Sequence, residues 1–285
     1  MIAKTQPGPR LSPGIVLRSL LQQLAAWGSR SRLPSPLPLH PVQRQIYTPS
    51  SWPTPLSADW YRPICPEPSP YIVVLIHGGG WKSGCPDGVE MTGLASMLAA
   101  QGINVIAPQY RLAPQWLHPS PLDDLHMLLD RLPELCAIRG LNIRSISLWG
   151  YSAGAHLASM LALQRPVAEI SAVVAGGLPA DLSLWPHSPI VANYLGVSAA
   201  QHPEQARNAS PLYHIHPKAP PFFLYHGASD TLVEPTQALL MANELHRNGV
   251  ATVCRMIPGY GHVACALHPA SILADAINFL RNHFV

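Results

Sequence analysis

The sequence is poor in charge and in cysteine, and neither type of residue forms a recognised binding pattern. Charged residues make up 12% of the 285 residues, the formal net charge is +3, and no run of Lys or Arg occurs. A nucleic-acid-binding face needs a basic patch, so this composition disfavours that class. The cysteines are odd in number, widely scattered and without a CxxC pair; they are Cys65, Cys85, Cys136, Cys254 and Cys265. They predict neither a disulfide framework nor a zinc ribbon, and they favour a reducing compartment, which we expect to be the cytoplasm.

Long apolar runs and metal-ligand motifs are also missing. No apolar stretch approaches the roughly 20 residues that a bilayer span needs, so we expect no integral membrane segment. The sequence has no HExxH or comparable ligand set, and we predict neither a metal nor an organic cofactor. Hydrophobic residues make up 48% of the chain, which is enough for a sizeable core. The default expectation is a globular protein of undetermined oligomeric state.

The N-terminal part of the chain lacks acidic residues and is rich in proline. The first acidic residue is Asp59, and 14 of the 32 prolines fall within the first 70 residues. Because proline fixes an extended backbone and removes a donor, we expect irregular or polyproline-like chain over residues 28–55. We therefore divide the sequence into an arm, residues 1–55, and a folded domain, residues 56–285.

One amphipathic helix is predicted inside this arm. Its apolar face consists of Leu17, Leu20, Leu21, Leu24 and Trp27. The helix could simply cover the core, form a cap over an apolar pocket, or contact a membrane surface as an anchor. Since the arm contains arginine but no acid, an organelle-import segment is a further alternative to a cytoplasmic location.

From residue 56 onward, short β-rich runs alternate with helical stretches. The predicted strands lie within residues 56–63, 71–76, 103–112, 144–151, 169–177, 221–230 and 251–259. The predicted helices lie near residues 87–101, 121–133, 153–163, 235–248 and 269–283. This alternation is typical of the α/β class, with a mostly parallel central sheet and helices on both faces. A Pro- and Trp-containing insert is expected near residues 178–220.

The stretch "GYSAG", residues 150–154, follows a predicted strand and precedes a predicted helix. A serine at such a strand-to-helix turn projects its hydroxyl from the end of the sheet, and the flanking glycines remove the Cβ clashes of the tight turn. Ser152 is therefore the predicted nucleophile.

A serine hydroxyl needs a base to take its proton and a carboxylate to orient that base. Asp230 stands just beyond one later strand and His262 follows the next, which is the chain order expected for this arrangement. Glu234 is the nearby alternative to Asp230. The weaker alternatives for the base are His118, His156, His214, His216 and His226.

Three glycines in "HGGGW", residues 77–81, end the strand "YIVVLI". Acyl transfer develops negative charge on a carbonyl oxygen, and backbone amides aimed at that oxygen lower the barrier. We expect the amides of Gly79, Gly80 and Ala153 to form this oxyanion hole. A phosphate-binding loop is the alternative, but Lys82 precedes Gly84, which is the wrong order for that motif.

These stretches, together with "YRLAP", "HGASD" and "GYGH", resemble the α/β-hydrolase esterases and lipases related to hormone-sensitive lipase and to kynurenine formamidase. The resemblance covers residues 56–285. It implies the same oxyanion glycines, and a structural role for "YRLAP" and for Asp123 or Asp124. Two departures stand out: Ala155 replaces a glycine common in relatives, and "ASDTLVEP" replaces a "DPL" pattern. The departures leave the subgroup open.

The predicted function is a serine carboxylesterase that hydrolyses small or short-chain carboxylic esters without a cofactor. The insert and any cap would determine specificity, and Trp81, Trp185 and Tyr194 are candidate pocket residues. Two alternatives stay open. One is an arylformamidase of the kynurenine type; the other is a non-catalytic binding module that keeps the hydrolase fold.

Overall fold

A computed structural model of the protein describes residues 42–63, 69–267 and 270–284. The predicted amphipathic helix and Cys65 lie outside these residues. Among the helices described, none combines the length and the apolar character that crossing a membrane requires.

Eight strands form one sheet in the order β1-β2-β4-β3-β5-β6-β7-β8. Their bounds are β1 Val42–Ile46, β2 Ser57–Tyr61, β3 Tyr71–Ile76, β4 Asn104–Pro108, β5 Ser145–Tyr151, β6 Ile170–Gly176, β7 Phe222–Gly227 and β8 Thr252–Ile257. β1 and β2 pair antiparallel with each other, and β2 pairs antiparallel with β4. Each pairing from β4 to β8 is parallel. The predicted mostly parallel sheet is confirmed.

Eight α-helices accompany these strands in the described part of the chain. They are α1 Val89–Ala100, α2 Ser120–Ile138, α3 Ala153–Gln164, α4 Pro189–Leu195, α5 Pro203–Asn208, α6 Thr236–Arg247, α7 His262–Leu267 and α8 Ala270–His283. Helices α4 and α5, with short 3-10 turns at Leu182–Leu184 and Pro211–His214, form the insert between β6 and β7.

The helices cover both faces of the sheet. Successive residues of β3 point to opposite faces, since side chains alternate along a strand. Ile72, Val74 and Ile76 pack with residues of α2 and α3. Val73 and Leu75 pack with residues of α1 and α8. Because β3 is buried on both faces, it reads as a continuous apolar run in the sequence.

The connections place a topological switch point at the carboxyl ends of β3 and β5. These two strands are neighbours, but the chain leaves β3 toward β4 on one side and leaves β5 toward β6 on the other. Ligands of doubly wound sheets bind at such a reversal of strand order. The segment after β3 and the turn after β5 therefore meet at the position where a binding crevice is expected.

Three local features differ from the sequence-based expectation. Residues 42–46 form β1, so the expectation of irregular chain is wrong there. Helix α2 continues through Pro133 to Ile138, where buried Leu132 and Leu135 supply packing that offsets the lost backbone hydrogen bond. Helix α7 was not predicted. The division of the chain into an arm, residues 1–55, and a folded domain, residues 56–285, stays a prediction.

An ion pair connects β1 to the rest of the sheet. The Arg44 guanidinium lies 2.6 Å from the buried Asp59 carboxylate and 3.0 Å from Asp87. Asp59 is on β2 and Asp87 precedes α1, so this side chain joins three segments. Pairing satisfies a carboxylate that would otherwise be buried without a partner.

Candidate active site

Ser152 occupies a tight turn between β5 and α3. Its φ is 54°, a conformation that L-residues rarely adopt, and its amide donates to Gly176 O at 2.8 Å. A Cβ on Gly150 would overlap the carbonyl of Gly154, so the turn requires bare backbone there. The structure thus gives Ser152 the strained strand-to-helix turn that the motif predicts.

The segment after β3, residues 77–84, lies against this turn and is called the glycine loop below. A Cβ on Gly78 would lie 3.6 Å from Ser152 Cβ. Gly79 has a φ of 114°, and its carbonyl accepts from the Ser83 amide at 3.1 Å and from the Ser83 hydroxyl at 2.9 Å. The loop therefore closes on itself beside Ser152.

The three predicted oxyanion donors are all at this junction. The amides of Gly79 and Gly80 donate to no acceptor among the described residues. Ala153 is the first residue of α3, where an amide has no acceptor within the helix. Main-chain donors of this kind can bind a carbonyl oxygen that gains negative charge.

Asp230 and His262 form a direct side-chain pair. His262 Nδ1 lies 2.6 Å from Asp230 Oδ2, and the side chain of Asp230 is fully buried. Because the carboxylate accepts, Nδ1 carries the proton of neutral His262, and Nε2 keeps a lone pair. Asp230 follows β7 as predicted; His262 is the first residue of α7 rather than part of an open loop.

His262 lies beside the turn that carries Ser152. The Tyr151 hydroxyl donates to the His262 carbonyl at 2.8 Å, and the two ring centroids are 5.0 Å apart. A Cβ on Gly177 would lie 3.1 Å from His262 Cε1. Burial raises the pKa of the Tyr151 phenol well above its ordinary value, so this donor stays neutral. The segments after β3, β5, β7 and β8 therefore converge at one edge of the sheet.

The electrostatics of Asp230 favour the ionised carboxylate. Burial raises the pKa of this group, but hydrogen bonds from His226 and His262 together hold it well below its ordinary value. Glu234, the alternative acid, is exposed and accepts a 3.0 Å hydrogen bond from Trp185 Nε1. The structure therefore pairs Asp230, and not Glu234, with His262.

The other candidate bases have different partners. His156 is buried, with Nδ1 3.2 Å from Trp81 Nε1 and Nε2 2.6 Å from Ala209 O. His214 contacts Asn208 O. His118, His216 and His226 also have hydrogen-bond partners within the described residues. His226 differs from the others because it also contacts Asp230, and no sequence pattern signals this contact.

Two of the three predicted pocket residues, Trp81 of the glycine loop and Tyr194 of α4, contact each other. Trp81, with a φ of 60°, stacks on Tyr194 with ring centroids 4.5 Å apart. Trp81 is 3% exposed and Tyr194 is fully buried, so this stack anchors the glycine loop to the core. The Tyr194 hydroxyl is 3.0 Å from His118 Nδ1. Trp185 lies apart from this stack, on Glu234. A role in a substrate pocket stays a prediction for these three.

The "YRLAP" segment is held by Asp124 rather than Asp123. Asp124 accepts from the amide of Arg111 at 2.8 Å and from its Nε at 2.9 Å, and both side chains are buried. Asp123 is exposed; it lines a surface cleft of about 510 Å³ together with Trp52 and Asp130. Ser152 and His262 are not part of that cleft. Within the described ranges, no three His, Cys, Asp or Glu side chains are arranged to hold a metal.

Comparison with known families identifies the family of the central part of the chain. The family model described as BD-FAE matches residues 58–245, from β2 to α6. The chain belongs to the BD-FAE family. The matched BD-FAE region contains the glycine loop, Ser152 and Asp230, whereas His262 lies beyond its end.

Curated relatives of this BD-FAE chain include proteins with different names. Esterase LipC of Mycobacterium tuberculosis is 25% identical over 223 residues, which are 71% of this chain and 55% of LipC. FAD-linked oxidoreductase pytB of Aspergillus terreus is 28% identical over 240 residues, 76% of this chain but 28% of that protein. The match thus spans 55% of the length of LipC and 28% of the length of pytB, so the chain corresponds to only part of each relative.

Solved structures support the same fold for this BD-FAE protein. A truncated carbohydrate esterase from gut microbiota superposes with a TM-score of 0.78 at 18% identity. The superposition covers 88% of this chain and 98% of that one. At this identity the likeness concerns the fold alone, and the predicted α/β-hydrolase fold is confirmed.

Proposed function

We propose that the protein is a serine carboxylesterase that hydrolyses small or short-chain carboxylic esters. One observation carries the proposal: the Ser152 turn, the bare amides of the glycine loop and the Asp230–His262 pair lie at one sheet edge, with His262 Nδ1 2.6 Å from Asp230 Oδ2. This set of groups matches the requirements of acyl transfer to serine. The esterase name of LipC is consistent with the proposal.

The first half of the reaction forms an acyl-enzyme. His262 Nε2 takes the proton from the Ser152 hydroxyl as the oxygen attacks the ester carbonyl. The carbonyl oxygen becomes negative and accepts hydrogen bonds from the amides of Gly79, Gly80 and Ala153. The imidazolium, stabilised by Asp230, then gives its proton to the leaving alcohol.

The second half releases the acid. A water molecule attacks the acyl carbon while His262 takes its proton, and the same three amides bind the second oxyanion. Collapse returns the proton to Ser152 and frees the carboxylic acid. Every proton transfer in this cycle uses a group of the chain itself.

A cytoplasmic location accompanies this proposal. The four cysteines in the described part of the chain, Cys85, Cys136, Cys254 and Cys265, are free thiols. Thiols of this number survive best in a reducing compartment. Co-fractionation of the full chain with cytosolic markers tests the location, and recovery in an organelle would favour the import role of the arm.

The test of the activity is hydrolysis of p-nitrophenyl acetate, butyrate and octanoate by the wild type and by Ser152→Ala. We expect turnover that is highest for the shorter esters and a loss of at least about 100-fold in the variant. Ser159→Ala is the matched control: this buried hydroxyl is also on α3, and it has no hydrogen-bond partner among the described residues. The control should retain wild-type turnover.

Two outcomes would contradict the proposal. Equal turnover by Ser152→Ala would exclude this serine as the nucleophile. No turnover of any ester by the wild type, with hydrolysis of N-formylkynurenine instead, would favour the arylformamidase alternative. A fluorophosphonate label found on Ser152 by mass spectrometry, and absent after boiling, would support the role of the serine independently of substrate choice.

A further inference from the structure

A second imidazole contacts the carboxylate of Asp230. His226 Nε2 lies 3.2 Å from Asp230 Oδ2, the same oxygen that is 2.6 Å from His262 Nδ1. His226 is on β7 and its side chain is fully buried. The mechanism proposed above uses only the contact with His262, so the contact with His226 is unassigned.

The surroundings of His226 determine which nitrogen carries its proton. Nε2 also lies 2.8 Å from the carbonyl oxygen of Val233. Both neighbours of Nε2 are acceptors, so this nitrogen must carry hydrogen. Nδ1 is buried and has no hydrogen-bond partner among the described residues. A second proton there would create a buried cationic N–H without an acceptor, which is costly. The geometry therefore requires neutral His226 with the proton on Nε2.

The Asp230 carboxylate is consequently held by four donors. Oδ1 accepts from the amides of Leu232 at 2.9 Å and Val233 at 3.0 Å. Oδ2 accepts from His262 Nδ1 at 2.6 Å, and it lies 3.2 Å from His226 Nε2, whose N–H it shares with the Val233 carbonyl. Three of these four donors, the two amides and His262, belong to segments outside the sheet. His226 is the donor that belongs to a strand of the sheet, β7.

We propose that His226 is a positioning residue for the ester hydrolysis: its Nε2–H ties Asp230 Oδ2 to strand β7 and shares the negative charge that His262 experiences. The inference rests on the proposed function of Asp230 and His262. A rigid second donor fixes the direction from which the carboxylate meets His262 Nδ1. The His226 donor also lowers the negative charge on Asp230 that acts on His262.

Other titratable groups face this carboxylate, and they do not compete for the role. They are Tyr151 of β5 and Cys265 of α7. Burial raises the pKa of the Tyr151 phenol well above its ordinary value and raises the pKa of the Cys265 thiol to about 11. Both are therefore neutral across the pH range in which an ester hydrolase is assayed.

A purely structural role for His226 makes a different prediction. If His226 only held Val233 against β7, its loss would lower the unfolding temperature but leave the catalytic pH profile unchanged. If His226 positions Asp230, loss of the donor leaves more negative charge facing His262, which stabilises the imidazolium. The neutral base then appears at higher pH, and the acidic limb of the kcat profile moves upward.

The test compares His226→Leu with His226→Gln in the full chain. Leucine removes the donor, whereas the glutamine amide can reach both acceptors. For His226→Leu we expect kcat to fall about 10-fold with little change in KM, because a hydrogen bond to a charged group is lost in the chemical step. The midpoint of the acidic limb should rise by about half a pH unit. His226→Gln should restore most of both values.

Tyr47→Phe is the matched control for loss of a buried hydrogen bond. The Tyr47 hydroxyl donates to Gln109 O at 2.6 Å, and the residue is fully buried. It follows β1, which forms one edge of the sheet, whereas β7 lies next to the opposite edge. This substitution should lower the unfolding temperature without moving the pH profile. A His226→Leu protein with an unchanged acidic limb and unchanged kcat would overturn the proposal.

A measurement on the wild type covers the case in which His226→Leu does not fold. Nitrogen-15 chemical shifts of the histidine rings identify the tautomer without any substrate. We expect the His226 ring to be the tautomer with hydrogen on Nε2, because both neighbours of that nitrogen are acceptors. A proton on Nδ1 instead would overturn the proposal. Since this readout needs no activity, it separates failure of the His226 assignment from failure of the esterase proposal.

Discussion

The two sides of the candidate site are built in different ways. On the nucleophile side, main-chain geometry positions the groups: Ser152 has a φ of 54° and Gly79 a φ of 114°. On the acid–base side, side chains do so: two imidazoles and two amides surround the Asp230 carboxylate. Features built from the backbone need glycine at fixed positions, so they can be recognised as a short motif in the sequence. A side-chain network depends on residues that only the fold brings together.

The largest effect on activity should come from Asp230→Asn. Asparagine keeps the shape but offers one acceptor oxygen where Oδ1 and Oδ2 now face four donor nitrogens. Its amide donor would favour the wrong tautomer of His262. We expect kcat/KM for p-nitrophenyl acetate to fall by about 10³-fold or more.

The control for this substitution is Asp181→Asn. Asp181 is a buried carboxylate in the insert that accepts from Ser183 and Tyr213, and no imidazole of the described residues pairs with it. It should lower the midpoint of urea unfolding while changing kcat/KM much less than Asp230→Asn. Equal losses from both substitutions would mean that the acid–base side responds to general destabilisation.

Gly79→Ala tests the backbone-built side. A Cβ there would overlap the carbonyl of Ser83, and the φ of 114° is strained for alanine, so the loop must change shape. We expect a fall of about 100-fold in kcat, since the oxyanion donors move. The fold should persist, because the glycine loop lies at the edge of the core. Circular dichroism and kinetics would measure the two effects separately.

Gly93→Ala is the matched glycine control. Gly93 is inside α1, and a Cβ there would meet no atom within 4 Å. Alanine should raise the free energy of unfolding by about 0.5 to 1 kcal/mol and leave kcat unchanged. A normal kcat in Gly79→Ala would show that this amide is not an oxyanion donor.

Acid should destabilise the nucleophile side in particular. Burial lowers the pKa of His156 to about 3, and those of His77 and His118 to about 4, from an ordinary value of 6.5. His77 begins the glycine loop, His156 contacts Trp81 of that loop, and His118 contacts Tyr194, which stacks on Trp81. Between pH 6.5 and about 4 the unfolded chain binds protons that the native state excludes, so stability present above pH 6.5 is lost as the pH falls.

The slope should reach about 1.4 kcal/mol per pH unit for each such histidine. Urea unfolding followed by tryptophan fluorescence at pH 7, 5.5 and 4.5 measures it. A midpoint that does not change over this range would contradict neutral burial of these rings.

Tyr151→Phe should produce the smallest change. It removes the 2.8 Å hydrogen bond to the His262 carbonyl but keeps the ring that packs beside the imidazole. One neutral hydrogen bond contributes about 1 kcal/mol, so kcat should fall about 5-fold. A loss near that of Asp230→Asn would assign Tyr151 a direct part in the chemistry.

Much of this architecture could be predicted from the sequence, because the features concerned depend on residues that are close together in the chain. The continuous apolar run of β3, the alternation of strands and helices, and the turn at Ser152 each have a short-range signature. The predicted fold is confirmed. The catalytic roles of Ser152, Asp230 and His262 stay predictions, although the structure brings the latter two into contact.

The parts that could not be predicted depend on distant contacts. His226 is one of 14 histidines, and its contact with Asp230 exists because the chain after β7 folds back over the strand end. Likewise, the stacking of Trp81 on Tyr194 joins the glycine loop to the insert, and no local sequence pattern signals it. The pocket role of Trp81 stays a prediction. Strand β1 contains three polar residues that are exposed or half-exposed, Gln43, Arg44 and Gln45, and only pairing with β2 makes it a strand.

The bond between Arg44 and Asp59 has a consequence for where the chain can be shortened. A polypeptide that began at residue 56 would lack β1 and would leave Asp59 without its guanidinium partner. The outer side of β2 would then present unpaired amides and carbonyls along its length. Neighbouring molecules add strands to such edges, so the shortened polypeptide should self-associate.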